Sequence, residues 1–255
     1  MSILEGVQQV LQLFADGATD LSFTEVTEQL GIPRSSASRL LNQMLHHGLL
    51  QQNVESRRYQ PSLLLARVAH TRQTSTPLDI QCGQSLTRLS AESGLTAYLS
   101  TLIGGDTVVL QRLNGTHPVQ VLSSPGSRRK ATGTAMGRSM LARLPEDVLM
   151  RYYPDAKTAR IYPGDDSSPQ TLYEVLEGIR QQCHAVVIDQ AMPGIGAIAA
   201  AIQDPATQEL RCLCISFAAF SVPTEQVEHL QQLLLREVGM LGRNLNDPLW
   251  LNISQ

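Results

Sequence analysis

The 255-residue sequence predicts an α+β protein with a small N-terminal domain and a larger C-terminal one. Three observations predict this arrangement. The stretch before residue 62 shows three helical periodicities followed by a short hairpin pattern. A further helical segment then runs into a polar break, TRQTSTP, that ends at Pro77. Beyond this break, helical segments alternate with short strands, which favours a mixed or antiparallel sheet.

The composition is that of a globular protein. Apolar residues make up 42% and charged residues 17% of the chain, which excludes the profile of a disordered protein. No run approaches the roughly 18 uncharged apolar residues of a membrane span. We therefore expect a cytoplasmic protein with no membrane partner. The four cysteines lack C-x-x-C spacing and are expected to be free thiols: Cys82, Cys183, Cys212 and Cys214.

Two helices are predicted before residue 31. The segment Ile3 to Phe14 places its apolar residues on one helical face, and Gly17 follows as a stop. Ser22 and Glu25 fit a capping box, in which the Ser hydroxyl accepts from a free N–H while the Glu side chain reaches back to the cap. The second helix is therefore expected to begin after Ser22 and to end at Leu30.

A tight turn and a third helix follow. Gly31 can adopt the left-handed conformation that ends a helix, and Pro33 suits the first turn of the next one. The segment PRSSASRLLNQMLHHG then has Arg and Ser on one side and apolar residues on the other, and Gly48 closes it. The residues predicted to be buried are Ala37, Leu40, Leu41 and either Met44 or Leu45.

A hairpin and a linker complete the first part of the chain. The segments Leu49 to Val54 and Arg58 to Pro61 are predicted to pair, which adds a two-stranded wing to the three helices. Ser62 is expected to cap an apolar helix that runs through Ala69. The predicted domains are residues 1–61, a winged helix-turn-helix; residues 62–76, a linker helix; and residues 77–255, the larger domain.

The larger domain is predicted to contain five helices and six strands. The helices are about Leu78 to Ser93, one that opens near Thr134, Glu146 to Tyr153, Gln170 to Cys183, and Pro223 to about Asn244. The strands are Leu95 to Ile103, Thr107 to Leu113, Pro118 to Leu122, Ala185 to Ile188, Ile195 to Ile202, and Leu210 to Phe217.

Charge is distributed unevenly along the chain. The net charge of −3 excludes a uniformly basic coat, yet Gln29 to Val54 contains no Asp or Glu. Short polar and Arg side chains on an exposed helix can reach base edges in the major groove of DNA. The candidate DNA-binding residues are Arg34, Ser35, Ser36, Ser38 and Arg39 in the third helix, with Arg57 and Arg58 in the wing. The alternative interpretation is a helical bundle with a solvated Arg and Ser face.

A resemblance to a known family covers these residues. The segment TEVTEQLGIPRSSASRLLNQMLHHGLL, followed by RRYQPSLLLARVA, resembles the helix-turn-helix of the IclR family of bacterial transcription regulators. Ser36 and Ala37 depart from the Thr-containing step that is usual there. RKATGTAMGRSMLARLP and PGIGAIAAAIQD are similar to two segments of the family's second domain. The resemblance implies a GAF-like effector-binding domain with a central antiparallel sheet, and homodimers that often pair into tetramers.

The resemblance also implies a pocket for a small molecule. The turn from Thr132 to Gly137 is physically suitable, because a glycine allows close backbone approach and free N–H groups at a helix start favour an anion. Two departures from the family are Thr132 in place of a His and a single acid, Asp189, in place of an acidic run. The residues implied by position are Thr132, Gly133, Ala135, Met136, Asp189, Ile195, Ala197, Cys214 and Ser216.

The functional hypothesis is a ligand-responsive regulator of a bacterial metabolic operon. It is expected to repress transcription from double-stranded operator DNA and to respond to a small carboxylate or related metabolite. The alternatives are a metabolic enzyme that uses the C-terminal domain and a module that binds other proteins. No catalytic residue, metal or cofactor is expected. Gly194, Gly196 and Ala199 give only a weak dinucleotide-binding pattern, which is better interpreted as a core strand.

Overall fold

A computed structural model describes residues 2–73, 76–161 and 170–252. The chain divides into two compact units, Met1–Thr76 and Pro77–Gln255. Thr74 and Ser75, in the predicted polar break, lie outside the described residues.

The first unit contains four helices and a small hairpin. The helices are α1 (Ile3–Ala15), α2 (Phe23–Leu30), α3 (Arg34–His46) and α4 (Leu63–Gln73). Strands β1 (Leu50–Gln52) and β2 (Tyr59–Pro61) pair antiparallel, and a backbone bridge joins Leu21 to Tyr59. Val10, Val26, Leu41 and Met44 are among the residues that form the core between α1, α2 and α3. These elements form a winged helix-turn-helix.

Local signals placed these helices correctly. Ser22 Oγ accepts from the Glu25 N–H at 3.2 Å and Glu25 Oε2 accepts from the Ser22 N–H at 2.6 Å, so the predicted capping box is confirmed. Gly31 has φ +62° and ends α2. Pro33 is the residue before α3, not part of its first turn. The Ser62 hydroxyl, expected at a helix cap, donates to the carbonyl of Gly48.

The second unit is built on a six-stranded sheet. The strands are β3 (Thr96–Ile103), β4 (Asp106–Leu113), β5 (Arg128–Lys130), β8 (Ala185–Ile188), β9 (Ile195–Gln203) and β10 (Leu210–Ala218). Every neighbouring pair is antiparallel in the order β5-β4-β3-β10-β9-β8, which confirms the predicted α+β class with an antiparallel sheet. Strands β6 (Arg160–Ile161) and β7 (Gln170–Thr171) form a separate pair.

Helices cover both faces of the sheet. One face packs against α5 (Pro77–Ser93) and α9 (Thr224–Asn244), with Leu86, Leu99, Phe217 and Leu234 in the shared core. The other face packs against α6 (Ala135–Leu141), α7 (Glu146–Tyr152) and α8 (Leu172–Gln182). Helix α10 (Pro248–Leu251) follows α9. The second face of the sheet and α6 position the cavity described below.

One predicted strand is wrong. Pro118 to Leu122 has the apolar alternation of a strand, but the segment is irregular. The Tyr98 hydroxyl donates to the Val121 carbonyl, and the Ser123 N–H donates back to the Tyr98 oxygen at 3.1 Å. The segment is thus attached to β3 through a side chain, and the edge position beside β4 is taken by β5.

Candidate functional site

Helix α3 displays the predicted polar set on its surface. Arg34, Ser35, Ser36, Ser38 and Arg39 are all exposed, whereas Ala37, Leu40 and Leu41 are buried on the opposite side. The Arg34 guanidinium lies 5.8 Å from the centre of the Phe23 ring, which holds it near the start of the helix. The first two turns of α3 therefore form a continuous polar surface that a DNA groove can receive.

The two wing arginines have different environments. Arg58 Nε contacts Asp20 Oδ1 at 2.6 Å and its Nη2 contacts Glu25 Oε2 at 2.8 Å. Hydrogen bonds from the Ser22 N–H and from Arg58 hold the pKa of Glu25 below its usual value, and the bond to Asp20, followed by that to Glu25, raises the pKa of Arg58. Arg58 therefore fastens the wing to α2.

Arg57 lies at the tip of the same wing. It is exposed, and its φ of +58° belongs to a turn in which Asn53 Oδ1 accepts the N–H groups of Glu55 and Ser56, each at 2.9 Å. No ion pair is found for Arg57 within the described part of the chain. Of the two predicted wing contacts, the geometry favours Arg57.

A cavity lies in the second unit between the sheet, the start of α6 and the irregular segment before β5. It has a volume of about 80 Å³, which is room for a compact ligand. Six of the nine predicted effector residues line it: Ala135, Met136, Ile195, Ala197, Cys214 and Ser216. Their convergence follows from register, because Cys214 and Ser216 share a face of β10 and Ser216 lies opposite Ala197.

The other three predicted residues do not line the cavity. Thr132 and Gly133 lie in a 3-10 turn before α6, and the Thr132 carbonyl accepts from Arg138 Nε at 2.6 Å. Asp189 has φ +61°, and its Oδ1 accepts from the Gly194 N–H. These groups shape the two turns beside the cavity. Asp189 in particular closes the loop before β9.

The close approach expected at Gly133 occurs at Gly137 instead. A Cβ added to Gly133 would meet nothing within 4 Å, whereas one added to Gly137 would lie 2.2 Å from the carbonyl oxygen of Ala131. Thr134 caps α6 by accepting from the Gly137 N–H at 3.0 Å. The turn can curl against α6 because residue 137 has no side chain.

Sequence reasoning missed the polar residues that surround the cavity. These are Tyr98, Thr107, Ser123, Ser127, Arg129 and Thr134. Arg129 is paired in register with Thr107, while its neighbours Arg128 and Lys130 contact Asp106 at 3.4 and 3.3 Å. Arg129 alternates to the other side of β5 and is the cationic residue of the described lining. The alternation of Arg129 with its neighbours was not recognised in the sequence, because β5 is only three residues long.

Two of the hydroxyls that line the cavity, those of Ser216 and Tyr98, belong to buried residues. Ser216 is 6% exposed, and its Oγ makes no hydrogen bond of normal geometry in the described structure, although its side chain interacts with the Tyr98 hydroxyl. Burial raises the pKa of Tyr98, whose hydroxyl already donates to Val121. A buried hydroxyl without a hydrogen bond of normal geometry costs free energy, so Ser216 marks a position where a polar ligand atom would be stabilised.

Burial makes the two cysteines on the cavity side of strand β10, Cys212 and Cys214, unreactive. Burial raises the pKa of the Cys214 thiol to about 12 and that of Cys212 well above its usual value. Both thiols therefore remain protonated near neutral pH and contribute apolar surface.

No group of three or more His, Cys, Asp or Glu suited to a metal occurs among residues 2–73, 76–161 and 170–252. Over the same ranges, no helix is long and apolar enough to cross a membrane.

The architecture and the two sites define a class of protein. An exposed helix of a winged helix-turn-helix, in one chain with a sheet domain, is the arrangement of a DNA-binding transcription regulator. Residues 67–239 match the model described as bacterial transcriptional regulator IclR C-terminal, and residues 7–54 match the IclR helix-turn-helix domain. The chain belongs to the IclR family.

Known relatives and solved structures match almost the whole chain. The transcriptional regulator XynR of Escherichia coli K12 is 25% identical over 251 residues, which covers 97% of this chain and all of that protein. The IclR structure from Thermotoga maritima is 22% identical with a TM-score of 0.75, over 95% of this chain and 98% of that one. An IclR homologue from Microbacterium hydrocarbonoxydans, solved with 4-hydroxybenzoate, is 17% identical with a TM-score of 0.79, over 96% and 99%.

Proposed function

We propose that the protein represses a bacterial metabolic operon and is released from its operator by a small carboxylate. The observation that carries this proposal is the exposed polar face of α3 opposite a fully apolar one. Residues 1–61 would read DNA, residues 62–76 would link, and residues 77–255 would bind the effector. The protein would act in the cytoplasm as a homodimer or tetramer, since a two-fold protein matches a palindromic operator.

The helix α3 enters the major groove in this proposal. Ser35, Ser36, Ser38 and Arg39 face base edges, while Arg34 and Arg57 meet phosphates. The decisive experiment measures binding to the DNA upstream of the protein's own gene over a range of salt concentrations. Phosphate contacts release counterions, so a steep fall of affinity with salt supports the proposal. Turnover of a metabolite without DNA binding would instead support the enzyme hypothesis.

The tip of the wing provides a second test of DNA binding. Arg57→Ala should weaken binding to operator and to unrelated DNA alike and reduce the salt slope by about one, because one phosphate contact is lost. Arg151→Ala is the control, since it removes an exposed arginine of the second unit that is paired with Asp147. Equal slopes for wild type and Arg57→Ala would remove Arg57 from the interface.

The cavity supports a carboxylate as the effector. Arg129 supplies a positive charge, Ser216 supplies a buried hydroxyl, and the floor consists of small or apolar side chains such as Ala197 and Met136. A carboxylate with a compact apolar body matches this distribution. The Microbacterium homologue holds an aromatic carboxylate, 4-hydroxybenzoate, which makes benzoate derivatives the first probes.

Arg129→Ala should weaken the binding of a carboxylate effector about tenfold or more, because a charge-assisted hydrogen bond is lost. Thermal-shift screening with benzoates and their neutral amides identifies the effector, and calorimetry gives the affinities. Arg128→Ala is the control, because Arg128 contacts Asp106 instead. If amides bind as tightly as acids, and Arg129→Ala binds both normally, the effector is not held by its charge.

A further inference from the structure

A second cleft in the sheet domain lies over the free edge of strand β8. Strand β8 is the last in the sheet order and pairs only with β9 among the described strands. The cleft has a volume of about 710 Å³ and is bounded by Ala185 and Val186 of β8, by α8, and by Gln231 of α9. None of its lining residues belongs to the effector cavity described above.

Arg138 is one of the residues that line this cleft, and no acidic partner is found for it among the described residues. Arg138 is 4% exposed, and its Nε donates to the Thr132 carbonyl at 2.6 Å. No ion pair is found for it within the described residues, and burial lowers the pKa of its side chain. Arg211 is buried to a similar degree, but its guanidinium is paired with the carboxylate of Asp79 at 2.7 Å.

Among the described lining residues of the cleft, Glu174 is the one carboxylate, and it is bonded to Thr171 and not to Arg138. Glu174 Oε2 accepts from the Thr171 N–H at 2.7 Å and from its hydroxyl at 2.9 Å, which caps α8. A buried cation without a counter-ion is unfavourable unless something neutralises it. The described lining of the cleft therefore supplies no free carboxylate that could neutralise Arg138.

We propose that this cleft binds a hydroxylated organic oxyanion, with Arg138 as its charged contact. The planar guanidinium matches the oxygens of a carboxylate or a phosphate. The amides of Gln170, Gln182 and Gln231 and the ring of His184 provide donors and acceptors for hydroxyl groups. A sugar acid and a sugar phosphate share this chemistry.

The same helix serves both ligand sites. Helix α6 places Ala135 and Met136 in the effector cavity, and Arg138 in the cleft. The bond from Arg138 to Thr132 also fixes the turn that precedes the cavity. Binding at one site is therefore expected to change affinity at the other, by the same factor in both directions.

The test is calorimetric titration of the full-length protein with gluconate, glucose 6-phosphate, inorganic phosphate and, as a neutral control, glucose. Gluconate or glucose 6-phosphate should bind and glucose should not, and whichever binds more tightly identifies the anionic group. Arg138→Met should weaken binding about tenfold or more, and Arg138→Lys should retain part of it. Arg151→Met, which removes an exposed arginine paired with Asp147, is the matched control.

Several results would overturn the proposal. One is a wild-type protein that binds none of the three anions at millimolar concentration. Another is anion binding that Arg138→Lys and Arg138→Met leave unchanged. Arg129→Ala separates this site from the effector cavity, because it should reduce benzoate binding and leave gluconate binding as it was. Loss of gluconate binding in Arg129→Ala alone would place the anion in the effector cavity instead.

Discussion

Replacing Arg39 by alanine is expected to weaken binding to the specific operator about ten- to a hundredfold. Arg39 is exposed in the second turn of α3, on the side opposite the buried Leu40 and Leu41. A bidentate arginine contact to a guanine edge contributes about 1–3 kcal/mol of discrimination, and alanine removes it completely. Footprinting and equilibrium binding on the DNA upstream of the protein's own gene measure the effect.

Arg39→Lys distinguishes reading of bases from attraction to phosphates. Lysine retains the charge but not the planar pair of donors, so this variant should keep affinity for unrelated DNA and the salt slope while it loses most of the preference for the operator. An unchanged footprint and unchanged affinity in Arg39→Ala would contradict the docking of α3. Equal loss on every sequence would make Arg39 a phosphate contact.

The sequence predicts the winged helix-turn-helix well because the residues that determine its helices and turns lie close together in the chain. A capping box spans only Ser22 to Glu25, and the left-handed turn depends on Gly31 alone. The apolar face of α3 repeats with the helical period over Ala37, Leu40, Leu41 and Met44. The pairing of Arg58 with Asp20 could not be predicted in this way, because it joins residues 38 positions apart.

The candidate effector cavity was predictable only in part. Family resemblance identified the turn before α6 and the strands β9 and β10, and six residues on them line the cavity. Arg129 was missed because β5 is too short to show a strand period, and Pro118 to Leu122 was misassigned because its alternation resembles one. Alternation shows which side chains are apolar; it does not show where the backbone finds its hydrogen-bond partners.

A buried ion pair joins strand β10 to α5, the first helix of the second unit. Arg211 of β10 contacts Asp79 of α5 at 2.7 Å, and both side chains are 3% exposed. Arg211 also contacts Glu209 at 3.2 Å, but that carboxylate is 27% exposed. Asp79→Ala would leave the guanidinium buried with Glu209 as its remaining acidic partner. We expect the free energy of unfolding of the second unit to fall by about 3–5 kcal/mol.

Urea unfolding followed by tryptophan fluorescence measures this effect in the correct unit, because Trp250 is the single tryptophan and is 2% exposed within the second unit. Asp147→Ala is the control, since its pair with Arg151 is largely exposed and should contribute almost nothing. Replacing both partners, Asp79→Leu with Arg211→Met, should restore most of the lost stability, because no buried guanidinium is left without its partner and the carboxylate of Glu209 is partly exposed. A double variant as unstable as Asp79→Ala would show that packing around the pair, rather than the uncompensated charge, determines the loss.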